Sequence, residues 1–208
     1  MRKKFIFATM FVVAFVISFS CSNVKPEKSI ENLKAAITGE TNASATYKAF
    51  SAKAIQEGYP NIAKMFAAAS EAEAIHVKNH NAVLTKLGQA VFTVTPDAPK
   101  VAGMAENLQA AIDGETYEYT IMYPGFIIAA EAEKCKDAIT SFTWASDAEA
   151  VHAKLYSQAL SILKSTGSDA TVSSVWYVCP KCGDLFNTIE GVASCPLCGA
   201  RSSSFLKF

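Results

Sequence analysis

The sequence predicts an all-α four-helix bundle followed by a small β-and-loop module held together by metal, and three observations predict it. The first is a repeat. Residues 31–41, ENLKAAITGET, return as 106–116, ENLQAAIDGET, an offset of 75; Ser70-Glu-Ala-Glu-Ala-Ile-His76 returns as Ser146-Asp-Ala-Glu-Ala-Val-His152, an offset of 76. The second is what the repeated pieces carry: each half supplies one Glu on a first helix and a Glu-x-x-His pair on a second. A Glu from each of two helices plus Glu-x-x-His from two others is how bundles hold two iron or manganese ions. The third is Cys179-Pro-Lys-Cys182-Gly with Cys195-Pro-Leu-Cys198-Gly, paired knuckles suited to one tetrahedral metal ion.

The elements follow in chain order. Arg2, Lys3 and Lys4 precede a mostly apolar run over residues 5–19, then Ser18-Phe-Ser20-Cys21. A basic start, a short apolar stretch and small residues before a cut describe a secretory signal over 1–20. The run is shorter than the roughly 20 residues of a spanning helix. Ser20-Cys21 resembles a bacterial lipobox, although Ser18 stands where leucine is usual. The expectation is an exported protein, lipidated on Cys21 and held at a membrane of the bacterial cell envelope, with 21–28 as a polar tether.

Four helical stretches are then expected within a bundle spanning 29–165. The first runs from about Ser29 to Glu57 and stops at Gly58-Tyr59-Pro60. The second covers about Asn61 to Leu87, with Ile62, Met65, Phe66, Ala69, Glu73, His76 and His80 at helical spacing. Residues 89–102 hold two prolines and β-branched residues, and predict an extended crossover that lays the second helix pair against the first. The third helix covers about Met104 to Lys134, with Pro124 expected to kink or unwind it. The fourth covers about Asp137 to Lys164. Gly39 and Gly114 precede Glu40 and Glu115, which suggests close helix packing there. Residues 166–174 have the composition of a flexible linker. The module, 175–208, is too short to bury a core of its own, so metal must supply most of its folding free energy.

Glu40, Glu73, His76, Glu115, Glu149 and His152 form the symmetric ligand set. Glu118 breaks the symmetry: it lies one turn beyond Glu115, where the first half has Ala43, and offers an alternative ligand to one ion. His80 follows His76 by four residues but is matched by Tyr156, so it is read as an ordinary histidine and not as a ligand. Of six cysteines, four form the knuckles, Cys21 is the expected lipidation site, and Cys135 is a plain helix cysteine. Spacing alone suits zinc and iron equally at the knuckles. Net charge is zero and no Lys/Arg cluster occurs past the N-terminus, which leaves nucleic-acid binding without electrostatic support.

The chain after residue 28 resembles rubrerythrin, a ferritin-like di-iron bundle joined to a rubredoxin-like domain. The resemblance rests on Gly39-Glu40 with Ala43 and Tyr47, on Glu73-x-x-His76, and on Glu115-x-x-Glu118-Tyr119-x-x-Met122-Tyr123-Pro124. Glu149-x-x-His152 and the two knuckles complete it. It implies a non-haem di-iron centre on the seven carboxylate and histidine positions, with His76 and Glu118 as alternatives on one iron. It places Tyr47 and Tyr123 close to that centre and one iron on Cys179, Cys182, Cys195 and Cys198. It further implies reduction of hydrogen peroxide to water, with electrons returned through the rubredoxin-like iron, and head-to-tail homodimers that bring one subunit's module to its partner's di-iron centre. An exported chain needs a one-electron donor other than the usual cytoplasmic one, and the sequence does not name it. Two other functions fit the same residues: a ferroxidase that sequesters iron, and a non-catalytic protein with zinc on the cysteines.

Overall fold

The computed structural model describes residues 25–208. The signal segment and Cys21 therefore lie outside the described residues. Five helices follow: α1 Glu27–Glu57, α2 Pro60–Lys86, α3 Met104–Tyr117, α4 Tyr123–Ala132 and α5 Lys136–Thr166. A π-helical turn, Glu118–Met122, joins α3 to α4, so the predicted third helix is one rod with a wider turn inside it. No described helix is long and apolar enough to cross a membrane.

The π turn has a cause in the sequence. Pro124 has no N–H to give the preceding turn, and a local switch to wider hydrogen bonding absorbs the loss. It also explains why the repeat changes offset. Before it, Glu40 matches Glu115 at 75; after it, the helix ends match at 76. Tyr59 N–H donates to Ala54 O at 2.8 Å, and Cys135 N–H donates to Ala130 O at 2.9 Å. Gly58 and Lys134 take the same left-handed conformation, with φ of 83° and 57°. The extra residue of the second half is the π turn.

Each half caps the other. A helix start leaves backbone N–H groups without partners. The Glu133 carboxylate, at the end of α4, accepts from Lys28 N–H at 2.8 Å and Ser29 N–H at 2.7 Å. Glu57, its equivalent at the end of α1, accepts from Met104 N–H at 3.0 Å. This cap starts α1 at Glu27, so Glu27 and Lys28 belong to the helix and not to the expected tether. The crossover between α2 and α3 is extended, and asparagines hold it: Phe92 N–H donates to Asn81 Oδ1 at 2.7 Å, and Asp97 N–H to Asn42 Oδ1 at 2.9 Å.

The apolar core is split by the polar site. On one side Tyr47, Phe50, Phe66 and Tyr156 pack together. On the other, Leu33, Ile37, Tyr123 and Phe142 do. The glycine expectation fails at Gly114, where an added Cβ would meet nothing within 4 Å; at Gly39 it would make only ordinary contact, 3.8 Å, with Glu118 Oε1.

The linker is pinned, against the reading from its composition. Helix α2 has no capping side chain of its own. Buried Asp169 takes that role, its Oδ2 accepting from Asn61 N–H at 2.6 Å and Ile62 N–H at 3.1 Å. Lys64 Nζ donates to Ser174 O at 2.8 Å. The module that follows is a three-stranded antiparallel sheet in the order β2-β1-β3, with β1 Tyr177–Val178, β2 Leu185–Phe186 and β3 Leu206–Lys207.

Candidate metal centres

Helical spacing puts Glu73 and His76, and Glu149 and His152, one turn apart on the inner faces of α2 and α5. Glu40 on α1 and Glu115 on α3 face them. All six are buried, none more than 2% exposed. Their ligand atoms fall into two groups, one of Glu40, Glu73, His76 and Glu149, the other of Glu73, Glu115, Glu149 and His152, each within 4.8 Å of one another. Glu73 and Glu149 belong to both groups, the positions of bridging carboxylates between two ions.

His76 Nδ1 lies within hydrogen-bonding distance of Glu73 Oε2, at 2.9 Å, but most of the other donor atoms have no partner. His152 Nδ1 lies 2.7 Å from Glu149 Oε2, yet neither atom is in hydrogen-bonding geometry. Glu40 Oε2, Glu73 Oε1, both oxygens of Glu149 and Glu118 Oε2 are likewise buried without a partner. Unpaired buried carboxylates are too costly to persist without compensating charge. Burial, then the neighbouring carboxylates, push Glu40, Glu115 and Glu118 well above the usual carboxylate range. Burial opposes charge on the histidines, but Glu149 and Glu73 outweigh it: His152 rises to about 10 and His76 is also raised well above its usual value. Burial works against the charge on Glu149 too, and there His76 and His152 prevail, holding it far below the usual range. Protons on the imidazoles thus stand where two divalent ions would sit, and the donor set fits a di-iron centre.

Glu118 stands apart from both ligand groups. It opens the π turn, half-buried, beside Gly39 and next to Glu40, whose strongest carboxylate neighbour it is. Tyr47 and Tyr123 each bond the opposite half. Tyr47 OH donates to Glu115 Oε1 at 2.6 Å, and Tyr123 OH donates to Glu40 Oε1. His80 is fully buried, its Nε2 3.2 Å from Tyr123 OH and its Nδ1 2.8 Å from Ser141 Oγ. Reading His80 as an ordinary histidine missed this contact, and Ser141 was not singled out at all; a polar pair on inward helical faces was the signal available.

The four knuckle cysteines are free thiols, with Cys179 Sγ 3.4 Å from Cys198 Sγ and Cys182 Sγ 3.5 Å from Cys195 Sγ. Disulfides need about 2.05 Å. A tetrahedron with metal–sulfur bonds of about 2.3 Å has edges of about 3.8 Å, close to this arrangement. The hydrogen bond from Cys182 draws Cys179 down to about 5, while burial takes Cys195 up to about 12. Cys179 thus forms a thiolate readily, while Cys182 and Cys195 need a cation to lose their protons.

The module docks on the bundle of its own chain. His76 Nε2 lies 2.9 Å from the Cys182 carbonyl oxygen and His152 Nε2 3.3 Å from that of Gly183. With Nδ1 turned to the metal site, both Nε2–H groups donate outward, the usual orienting partner of a ligating histidine. Asn79 Nδ2 donates to Lys181 O at 2.8 Å, and the Lys181 ammonium lies 5.0 Å from the centre of the Trp144 ring. Asp169 explains the route, because it ties the linker to the start of α2 and directs the chain along that helix.

Bridging glutamates on two helices, flanking Glu and His ligands and an appended four-thiolate site define a ferritin-like di-iron carboxylate protein with a rubredoxin-type module. The rubrerythrin family model matches residues 31–160, and the chain belongs to that family. It is 36% identical over 180 residues to nigerythrin of Nitratidesulfovibrio vulgaris (strain Hildenborough), covering 86% of each chain. It is 34% identical over 194 residues to rubrerythrin-2 of Clostridium acetobutylicum, covering 89% of this chain and all of that one. A solved structure of nigerythrin in a mixed-valence state superposes with a TM-score of 0.78 at 36% identity over 86% of each chain. The cofactors are accordingly a non-haem di-iron centre and one iron on the four cysteines.

Proposed function

We propose that this protein reduces hydrogen peroxide to water, in the balance H2O2 + 2e− + 2H+ → 2H2O, and is re-reduced one electron at a time through the four-thiolate site. When bound, the pair of irons supplies the two electrons. The chain's own residues do the rest. Glu73 and Glu149 would serve both ions, Tyr47 and Tyr123 fix the outer carboxylates of Glu115 and Glu40, and burial keeps bulk water out. Glu118 offers a second carboxylate on the Glu40 side and, with Tyr47 and Tyr123, is the residue we assign to handling peroxide.

The observation that carries this reading is the hydrogen bond from His76 Nε2 to the Cys182 carbonyl, which joins a ligand of one metal site to a ligand of the other. A store for iron needs no such link. The test is anaerobic reduction of the purified protein, titration with hydrogen peroxide and absorbance. The expected result is two irons oxidised per peroxide, with recovery when an external one-electron donor is supplied. Slow oxidation by dioxygen with growth of an iron core would instead mark a ferroxidase. Assembly as a homodimer follows the family's habit, and light scattering tests it. We also keep export and lipidation on Cys21 as a reading of residues 1–21. Mass spectrometry of the mature N-terminus tests it, and a retained Met1 overturns it.

A further inference from the structure

The two halves match at the six symmetric ligands and at neighbouring aromatic positions; besides Glu118, they depart along one line. Tyr123 and Tyr47 are equivalents, as are Phe142 and Phe66, at an offset of 76. At the same offset His80 replaces Tyr156, and Ser141 replaces Met65. These two departures face each other. Ser141 Oγ lies 2.8 Å from His80 Nδ1, His80 Nε2 lies 3.2 Å from Tyr123 OH, and Tyr123 OH donates to Glu40 Oε1. In the other half the Tyr156 hydroxyl is buried without a partner, and Met65 has no exchangeable proton. A continuous hydrogen-bonded chain exists on one side of the centre and is broken at both equivalent places on the other.

The chain has an outer end. Ser141 lines a cavity of about 170 Å³ together with Asn79, Lys86, Asp137, Thr140 and Trp144. Lys86 and Asp137 form an exposed ion pair there, and such groups exchange protons with water. A larger groove of about 580 Å³, between α3 and α5, touches no ligand of either metal site.

We propose that Ser141, His80 and Tyr123 form a proton relay from this cavity to Glu40, supplying protons to the Glu40 side of the di-iron centre. The inference rests on the peroxide-reductase reading only for the use to which the protons are put. The hops balance with every member neutral. Water donates to Ser141 Oγ, the Ser141 proton passes to His80 Nδ1, the Nε2 proton passes to Tyr123, and the Tyr123 proton passes to Glu40 Oε1. His80 ends as the other tautomer, and the hydroxyls and tautomer reset before the next proton. No imidazolium is needed, in keeping with burial, and after it the charge of His76, lowering His80 to about 3. The delivery point lies beside Glu118, the carboxylate that the first half lacks.

Two measurements test the relay without depending on peroxide turnover. Nitrogen-15 NMR of the three histidines in zinc-loaded protein should show His80 neutral, protonated on Nε2 and accepting on Nδ1. His80 protonated on Nδ1 would reverse the chain and overturn the proposal. Stopped-flow reduction of the iron-loaded protein with a pH indicator should show proton uptake as electrons enter the buried site. Ser141→Ala should slow it by about tenfold or more, within the range a positioned proton donor contributes. Ser141→Thr, which keeps the hydroxyl, should restore it, and Met65→Ala should leave it unchanged. An unaltered melting temperature excludes collapse of the site. Uptake at the parental rate in Ser141→Ala, or none in the parent, overturns the relay. Slowed uptake in a protein inert to peroxide would keep the relay and sink the peroxidase reading instead.

Discussion

Replacing Gly183 by alanine should disconnect the two metal sites while leaving both intact. The glycine follows Cys182 with φ of +85°, and a Cβ there would lie 2.3 Å from His76 Nε2, 2.7 Å from its Cδ2 and 3.1 Å from the Ala72 carbonyl. Comfortable contacts between such atoms need about 3.5 Å. The knuckle must therefore retreat by about 1.2 Å, which stretches the 2.9 Å bond from His76 to Cys182 O past the roughly 3.5 Å limit of a hydrogen bond. The left-handed backbone adds about 1–2 kcal/mol of strain. Metal binding by such modules is worth about 10–16 kcal/mol, so the thiolate site should still form and keep its red ferric colour. Gly199 supplies the control, because it occupies the same place in the other knuckle, with φ of +73° and nothing within 4 Å. Gly199→Ala carries the same backbone strain without the clash. The assay is stopped-flow re-reduction of the di-iron centre by an external one-electron donor, followed by absorbance. Gly183→Ala should be slowed by at least about tenfold, toward the 10²-fold that a displacement of about 1 Å can cost. Gly199→Ala should stay near the parent, and one peroxide should still be consumed by either variant once fully reduced. Parental re-reduction in Gly183→Ala would show that electrons do not enter through this contact.

The two metal sites should also separate genetically: Cys182→Ser should lose the red colour and external turnover but keep one reaction of the pre-reduced protein with peroxide. Glu149→Ala should keep the colour and lose that single reaction, since Glu149 belongs to both ligand groups. Asp169→Ala should cost about 0.5–2 kcal/mol by uncapping α2, lowering the melting temperature by about 2–4 °C per kcal/mol. In metal-free protein His152 is raised to about 10 from an unfolded value near 6.5, so its stabilising protonation is complete below about 6.5 and is lost as pH rises through about 10. Thermal melts should show the metal-free protein weakening over that window and the iron-loaded protein holding steady; a flat metal-free profile would contradict the ion-paired histidines.

Much of the fold was legible because its signals are local or repeated. Helical spacing, Gly58-Tyr59-Pro60 and the crossover prolines set the helix limits to within two residues at most ends. The six symmetric ligands were legible because duplication printed the same pattern twice. Three things were not. Asp169 reads as one more polar residue in a Ser/Thr-rich stretch, and only the bare N-terminus of α2 in space makes it a cap. The docking of the knuckles on His76 and His152 is a long-range contact with no periodicity to mark it. Glu118 could be placed on a helix, but its distance from the two ligand groups depends on the widened turn, which sequence could suggest from Pro124 without fixing its shape.

The change of offset from 75 to 76 held more information than a register slip. The scaffold is reciprocal: Glu57 caps α3 while Glu133 caps α1, and Tyr47 holds Glu115 while Tyr123 holds Glu40. A duplicated chain that folds this way needs both halves to complete either one, which keeps the symmetric ligand set in register. The departures from symmetry then fall on one side. The π turn brings Glu118 beside Glu40, and His80 and Ser141 extend the Glu40 side outward, where the other half has Tyr156 and Met65. Binding two ions requires only the symmetric parts. A reaction that moves protons and exchanges ligands requires an inequivalent pair, and the sequence differences supply it at the Glu40 and His76 end.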